Sequence, residues 1–397
     1  MRSARFSFQP ASVTIDSIEN PHKRKSGVND SMKNLSPQYD PWDPILSLRK
    51  HGKHVVTSVE LTMTNLCNMR CEHCAVGDSL TMSEGPRLPL SFILKRLDEV
   101  EHLETISITG GEPSYQEKAV REYIVPLLKY ARDRGIRTQM NSNVTLDLAR
   151  YELIAPFLDV MHISFNYLDA DDFHQVGFAR AGHPVGKETA VKMYDRMVEN
   201  TIALSKGGLF VSAESMINFR THEKLDKIHK LIEEMGCKRH EVHPMYPSSF
   251  ASHLPMLSLD QIRTALHRLL DSRNPELWML FGTLPFFACS DRPEDRELIA
   301  RLRREPNVTV RNDPDGRNRL NVSLFTGEVY VTDFANEPPL GSIHRDGFEQ
   351  IFSRWELHPL NLRVNCFCPE AGCCGPNLLV ADSYYSEVDF KTRKAIG

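Results

Sequence analysis

The chain has 397 residues, 41% of them hydrophobic, and 48 Lys and Arg against 52 Asp and Glu give it a formal net charge of −4. That length can bury a large core and suits two or three domains, while the near-neutral charge exerts no pull toward nucleic acid or an anionic membrane, so nucleic acid is not an expected partner. No run of about eighteen apolar residues is present to span a bilayer, and Met1-Arg-Ser-Ala-Arg-Phe-Ser-Phe-Gln-Pro has no apolar core of the kind a secretory signal needs, so a cytoplasmic location is expected.

Residues 1–54 are polar and punctuated by Pro10, Pro21, Pro37, Pro41 and Pro44, which reads as an extension rather than a separate core. Within it His22-Lys-Arg-Lys25 reads as a solvated basic turn, and Tyr39-Asp-Pro-Trp-Asp-Pro-Ile-Leu as the apolar anchor that docks the extension. From 55 to 285 strand-like and helix-like runs alternate. Strands are predicted at Ser58–Met63, Thr105–Thr109, Ile136–Asn141, Val160–Asn166, Leu209–Glu214 and Arg239–His243. Helices are predicted at Leu90–Leu103, Lys118–Arg134, Leu146–Phe157, Gly186–Lys206 and Thr221–Met235, with apolar spacing near 3.6 as in Leu225, Ile228, Leu231, Ile232 and Met235. Gly135 and Gly236 stand where helix C-caps belong. Six β-α units in series argue for an α/β fold, a parallel sheet wrapped by helices and curled into a partial (β/α)6 barrel. Residues 286–397 form a smaller cysteine-rich part. There Leu320-Asn-Val-Ser-Leu-Phe-Thr-Gly327-Glu-Val-Tyr-Val reads as a hairpin, followed by Leu340-Gly-Ser-Ile and a helix near Gly347–Trp355.

Nine cysteines in a reducing compartment read as metal ligands or free thiols rather than disulfides. Three of them form Cys67-Asn-Met-Arg-Cys71-Glu-His-Cys74 directly after the first strand. Three thiolates from one short loop suit an iron–sulfur cluster that keeps one iron open, since a closed structural metal site would want a fourth local ligand. After the second strand comes Gly110-Gly111-Glu112-Pro113, where paired glycines allow close backbone approach and Glu112 can accept from an ammonium group. Both loops leave the C-terminal ends of strands, the reacting face of a parallel barrel. A third group, Cys366-Phe-Cys368-Pro-Glu-Ala-Gly-Cys373-Cys374, sets four thiols in a Gly/Pro loop with little core to fill. Metal binding is the sharper reading, with zinc and an iron–sulfur cluster both compatible and free or redox-active thiols the other option.

The CxxxCxxC and Gly-Gly-Glu-Pro pairing resembles the radical S-adenosylmethionine (radical SAM) enzymes. The resemblance implies that Cys67, Cys71 and Cys74 hold a [4Fe–4S] cluster with S-adenosylmethionine on its fourth iron. An electron from a donor such as flavodoxin or ferredoxin then yields a 5′-deoxyadenosyl radical that abstracts hydrogen from the substrate. Gly110, Gly111, Glu112 and Pro113 would hold the amino group of the methionine part. Asn141-Ser-Asn143 stands where relatives often have Thr-Asn-Gly, and His162-Ile-Ser164-Phe-Asn166 resembles the family's Ile-Ser-x-Asp segment with Asn166 replacing the acid. The resemblance therefore makes Asn143, Ser164, Asn166, Arg180 and Glu214 candidate cofactor contacts. His73 would pack against adenine or shield the cluster.

The hairpin, helix and cysteine order resembles the SPASM or twitch extensions of peptide-modifying radical enzymes, which house auxiliary clusters. Thr332 stands where relatives place a cysteine, and CxCxxxxC is similar to radical SAM/CxCxxxxC-motif proteins of YfkAB type over nearly the whole chain. This implies one auxiliary iron–sulfur cluster on Cys366, Cys368 and Cys373, with Cys374 or Cys289 as the fourth ligand. Cys237 reads as a small core residue. The implied substrate is a peptide or protein side chain. A small metabolite or RNA base is the second reading, and a non-catalytic redox-sensing or S-adenosylmethionine-binding protein a third. Cys289, Tyr246, His243, Tyr384 and Tyr385 are candidate proton or hydrogen donors.

Overall fold

A computed structural model describes residues 34–245, 248–332, 337–364, 366–368, 371–388 and 390. The basic patch at 22–25 and the candidate donor Tyr246 lie outside these residues. Eight strands run parallel and in sequence: β1 (Ser58–Thr64), β2 (Thr105–Gly110), β3 (Arg137–Ser142), β4 (Val160–Ser164), β5 (Phe210–Ile217), β6 (Arg239–Pro244), β7 (Trp278–Gly282) and β8 (Val308–Arg311). On the other side of β1 lies β9 (Arg319–Ser323), also parallel, then β10 (Glu328–Tyr330) and β11 (Gly341–Ser342) as an antiparallel edge. The sheet ends at β8 and β11, so the curled sheet is a partial barrel.

All six predicted strands are present, and the sheet continues through two more that the sequence reading missed. β7 is buried throughout and therefore shows a continuous apolar run with no period-2 alternation, while β8 has only four residues. The hairpin forms as predicted, but its first strand pairs with β1 and so extends the main sheet. Helices Leu90–Asp98, Leu148–Ile154, Lys187–Lys206 and Leu225–Glu234 occupy the predicted positions. The helix expected over Lys118–Arg134 runs as Glu117–Ala119, a π turn Val120–Ile124 and Val125–Asp133. The turn lies just before Pro126, which has no N–H to give to the helical ladder.

Apolar residues of the sheet, such as Val59, Leu61, Ile106, Ile108, Met140, Met161 and Val211, form one core with the covering helices. Each such side chain contributes roughly 1.5–3 kcal/mol by burial. The anchor before β1 docks on this body. Trp42, Ile45 and Leu48 are buried, and Trp42 Nε1 donates to Ser107 Oγ at 3.1 Å. Asp43 caps the helix Pro44–His51 by accepting from Ile45 N at 2.9 Å.

Candidate active site

A cavity of about 320 Å³ opens at the C-terminal ends of the strands. Cys67, Cys71, His73 and Cys74 line it from the loop after β1, Gly110 and Gly111 from that after β2, and Asn143 from that after β3. Ser164 closes β4, and Glu214 of β5 with Glu241 and His243 of β6 forms the next wall. The first two loops are tied by backbone bonds, Gly111 N to Thr64 O at 2.7 Å and Glu112 N to Leu66 O at 2.8 Å. Gly110 has φ +120°, and a Cβ there would sit 2.2 Å from Thr64 O; at Gly111 it would sit 2.2 Å from Leu66 O. What the paired glycines admit is therefore the backbone of the cysteine loop itself.

Further bonds fix the cysteine loop. Arg70 Nη1 donates to Cys67 O at 2.9 Å and Met69 O at 2.8 Å, and Arg70 N to Gly177 O at 2.9 Å. The buried Glu72 carboxylate accepts a bidentate pair from Arg220, at 2.7 and 3.0 Å. Cys67 Sγ accepts from Met69 N at 3.4 Å, with Asn143 Nδ2 at 3.9 Å, and Cys71 Sγ lies 3.8 Å from the Tyr167 hydroxyl. None of the three is in a disulfide. The residues are partly exposed, but their sulfurs sit deep enough that burial pushes Cys67 up to about 12 and raises Cys71 and Cys74 as well. Among the described residues no three Cys, His, Asp or Glu side chains close on one point where a single metal ion could be held. Thiolates that each take a different iron of a cluster need not converge so, and three free thiols ringing one cavity fit that requirement.

Several predicted contacts lie elsewhere. The Glu112 carboxylate is fully buried beneath the cavity and accepts from Ser142 Oγ at 2.9 and 3.0 Å, Asn143 N at 2.8 Å and Ser114 N at 3.2 Å. It braces the loop after β3, and Pro113 is buried beside it. Asn166 bridges strands, its Oδ1 accepting from Met216 N at 2.7 Å and its Nδ2 donating to Ser164 Oγ at 3.3 Å. Arg180 is exposed, stacked over Phe250 at 4.7 Å with His253 at 3.4 Å, and does not line the cavity. Tyr384 OH donates to Leu257 O and Tyr385 OH to Pro285 O, so both hydroxyls are engaged away from the cavity.

The polar wall was only partly foreseen. Burial alone would raise the Glu214 carboxyl, but His243 and His162 (2.7 Å) outweigh it and hold it well below the usual range. Burial likewise disfavours charge on His243, and the facing Glu214 reverses this, lifting the imidazole to about 9. His243 therefore carries a proton at neutral pH, as a donor rather than a base. At His73 burial outweighs the nearby Glu72 and Glu214 and lowers the imidazole to about 4. Behind them Arg311 donates to Glu241 Oε1 at 2.8 Å and to Asp40 Oδ2 at 2.7 Å. Glu60, Asp313, Asp315, Arg319, Asn321 and Thr332 complete the wall. One signal was available in the sequence: Arg239-His-Glu-Val-His sets four ionisable groups in a strand flanked by others, so Glu241 and His243, two apart, face the interior.

The C-terminal cysteines lie outside this cavity. Cys368 N donates to Cys373 O at 2.9 Å and Cys373 N to Cys368 O at 3.1 Å, closing their loop. Cys237 is buried in the main core, as expected.

Comparison with known proteins adds independent findings. Residues 61–235 match the model of the radical SAM superfamily, and residues 245–395 that of the YfkB-like domain. Protein YfkA of Bacillus subtilis (strain 168) is 50% identical over 368 residues, 92% of this chain and 99% of its own. Among solved structures, native anSMEcpe with bound AdoMet and Kp18Cys peptide is similar with TM-score 0.57 and 14% identity, over 85% of this chain and 92% of that one. Streptococcus suis SuiB bound to S-adenosylmethionine gives TM-score 0.54 and 14% identity over 84% and 74%.

Proposed function

The chain belongs to the radical SAM superfamily as an enzyme of YfkAB type, and from that premise we propose that it abstracts hydrogen from a peptide or protein side chain bound in the cavity over Cys67, Cys71 and Cys74. The observation that carries the reading is the convergence of these three thiols with Gly110, Gly111, Asn143, Ser164 and Glu214 on one cavity at the C-terminal ends of β1–β5. Held there, a [4Fe–4S] cluster with S-adenosylmethionine supplies a 5′-deoxyadenosyl radical.

The protein's own residues do the positioning. Cys67, Cys71 and Cys74 are the proposed cluster ligands, with Tyr167 and Asn143 as polar neighbours of two sulfurs. Gly110 and Gly111 present backbone to the cofactor, Asn143 and Ser164 offer hydrogen bonds to its adenosyl part, and Glu214 stays ionised through His162 and His243. Beyond them the wall of Glu241, Arg311, Asp313 and Asn321 offers donors and acceptors suited to peptide amides. The similar folds anSMEcpe and SuiB have been solved with a Kp18Cys peptide and with the precursor peptide SuiA, which favours that class of occupant. A small electron carrier such as flavodoxin or ferredoxin is the proposed reductant. The thiols of residues 286–397 are proposed to hold a second iron–sulfur cluster.

The test is anaerobic reconstitution followed by reduction and assay of 5′-deoxyadenosine. Wild type should form it and Cys67→Ala should not. A fully iron-loaded wild type that forms none would overturn the enzymatic reading of this site.

A further inference from the structure

The sequence leaves two candidates for the fourth thiol of the second site, Cys374 beside the motif and Cys289 far upstream, and the tertiary structure separates them. Cys368 and Cys373 are reciprocal bridge partners, which places both side chains on one face of their loop. Cys366 lies within electrostatic reach of both Cys368 and Cys373. Cys289, from the loop after β7, follows Phe287, whose ring meets those of Tyr385 at 5.7 Å and Phe390 at 5.5 Å in the segment after the cysteine motif, and it lies within electrostatic reach of Cys366 and Cys373. Arg303, which donates to Ala371 O, brings positive charge to the same side.

Cys374 turns the other way. It is 2% exposed and packed against Ile45 and Leu48 of the N-terminal anchor, in a separate apolar cluster. Its charged neighbours are Asp43, Arg317 and Asp313, and the adjacent Cys373 is a further one.

Resting on the second-cluster reading above, we propose that Cys289, Cys366, Cys368 and Cys373 hold one [4Fe–4S] cluster and that Cys374 is a core residue outside it. A tetrahedral zinc site would bring its sulfurs to about 2.3 Å from one point, and no such convergence exists among the described residues. Four thiolates on four irons leave none open, so this site is closed to substrate, in contrast to the three-thiol site over the cavity.

The test uses the full chain with Cys67, Cys71 and Cys74 all changed to Ala, so that any remaining iron reports the second site. After anaerobic reconstitution, iron and sulfide are counted and the reduced and oxidised proteins are examined by electron paramagnetic resonance. This background should bind about four irons. Cys374→Ala should keep both the count and the signal, whereas Cys289→Ala and Cys289→Ser should each lose the iron or give a three-iron signal. Equal unfolding temperatures of the iron-free Cys289 variants and the iron-free background exclude misfolding as the cause. Unchanged iron and signal in the Cys289 variants, or their loss in Cys374→Ala, would overturn the assignment. A background with no iron would overturn the second cluster itself, while 5′-deoxyadenosine formation by wild type tests the first site separately.

Discussion

Changing Gly111 to Ala should detach the cysteine loop from the loop after β2. The added Cβ would lie 2.2 Å from Leu66 O, 2.7 Å from Leu66 C and 3.1 Å from Leu80 Cδ2, where real Cβ contacts essentially never fall below 3.0 Å. Two of these atoms are backbone, so the loops must part by about 1 Å rather than a side chain swing away. Parting them breaks the bonds from Gly111 N to Thr64 O and from Glu112 N to Leu66 O. Two net hydrogen bonds at about 0.5–1.5 kcal/mol each, with about 1–3 kcal/mol of overpacking, sum to roughly 2–6 kcal/mol. With an unfolding entropy of about 2.1 cal/mol/K per residue, a chain of this length should lose roughly 2–7 °C in Tm. Because Cys67 follows Leu66, iron retention after reconstitution should fall as well. Gly182→Ala, where a Cβ meets nothing within 4 Å, is the control and should change neither. A Gly111→Ala protein with the Tm and iron content of wild type would refute the view that these glycines serve loop-to-loop contact.

Arg220→Ala should leave the buried Glu72 carboxylate unpaired inside the cysteine loop; because Arg220 is about one-third exposed, the cost should be about 1–3 kcal/mol rather than that of a wholly buried pair. Urea unfolding measures it, and Glu72→Gln in the Arg220→Ala background should recover much of the loss. The His243–Glu214 pair sets a pH window. His243 titrates near 9, above its ordinary 6.5, so its contribution is complete below about pH 6.5 and disappears as pH rises through 9; the depressed Glu214 contributes above about pH 4.5 and is lost on acidification. In Glu214→Gln the imidazole titration, followed by NMR, should move down by about two pH units or more, and a midpoint still near 9 would refute the pairing. Asp43 is opposite in sign to Glu214, because burial raises its carboxyl to about 7 and its ionisation costs stability as pH climbs from 3.8 to 7. Asp43→Asn keeps a capping side chain and should stabilise the protein above pH 7 by on the order of 2 kcal/mol, with no gain near pH 3; thermal melts at the two pH values compare them.

The local signals were legible in the sequence because each depends on neighbours a few residues apart. CxxxCxxC, Gly-Gly-Glu-Pro, the hairpin around Gly327 and six alternating strand and helix periods place the thiols and glycines at the ends of β1 and β2 without any long-range information. Side-chain direction within a loop is another matter. Glu112 turns down to brace Ser142 and Asn143 while its neighbours Gly110 and Gly111 face the cavity, and Arg180 ends at the surface over Phe250. Partners far apart in the chain were equally hidden. Asp40, Glu241 and Arg311 meet only because β6, β8 and the N-terminal anchor share one end of the curled sheet, and of the two thiols the sequence offered beside Cys366 and Cys373 it is packing that sets Cys374 against Ile45 and Cys289 near the motif. Spacing along the chain records which groups are available and roughly where their backbone lies. Which way each one points, and what it meets, is set by close packing among segments that the sequence lists hundreds of residues apart.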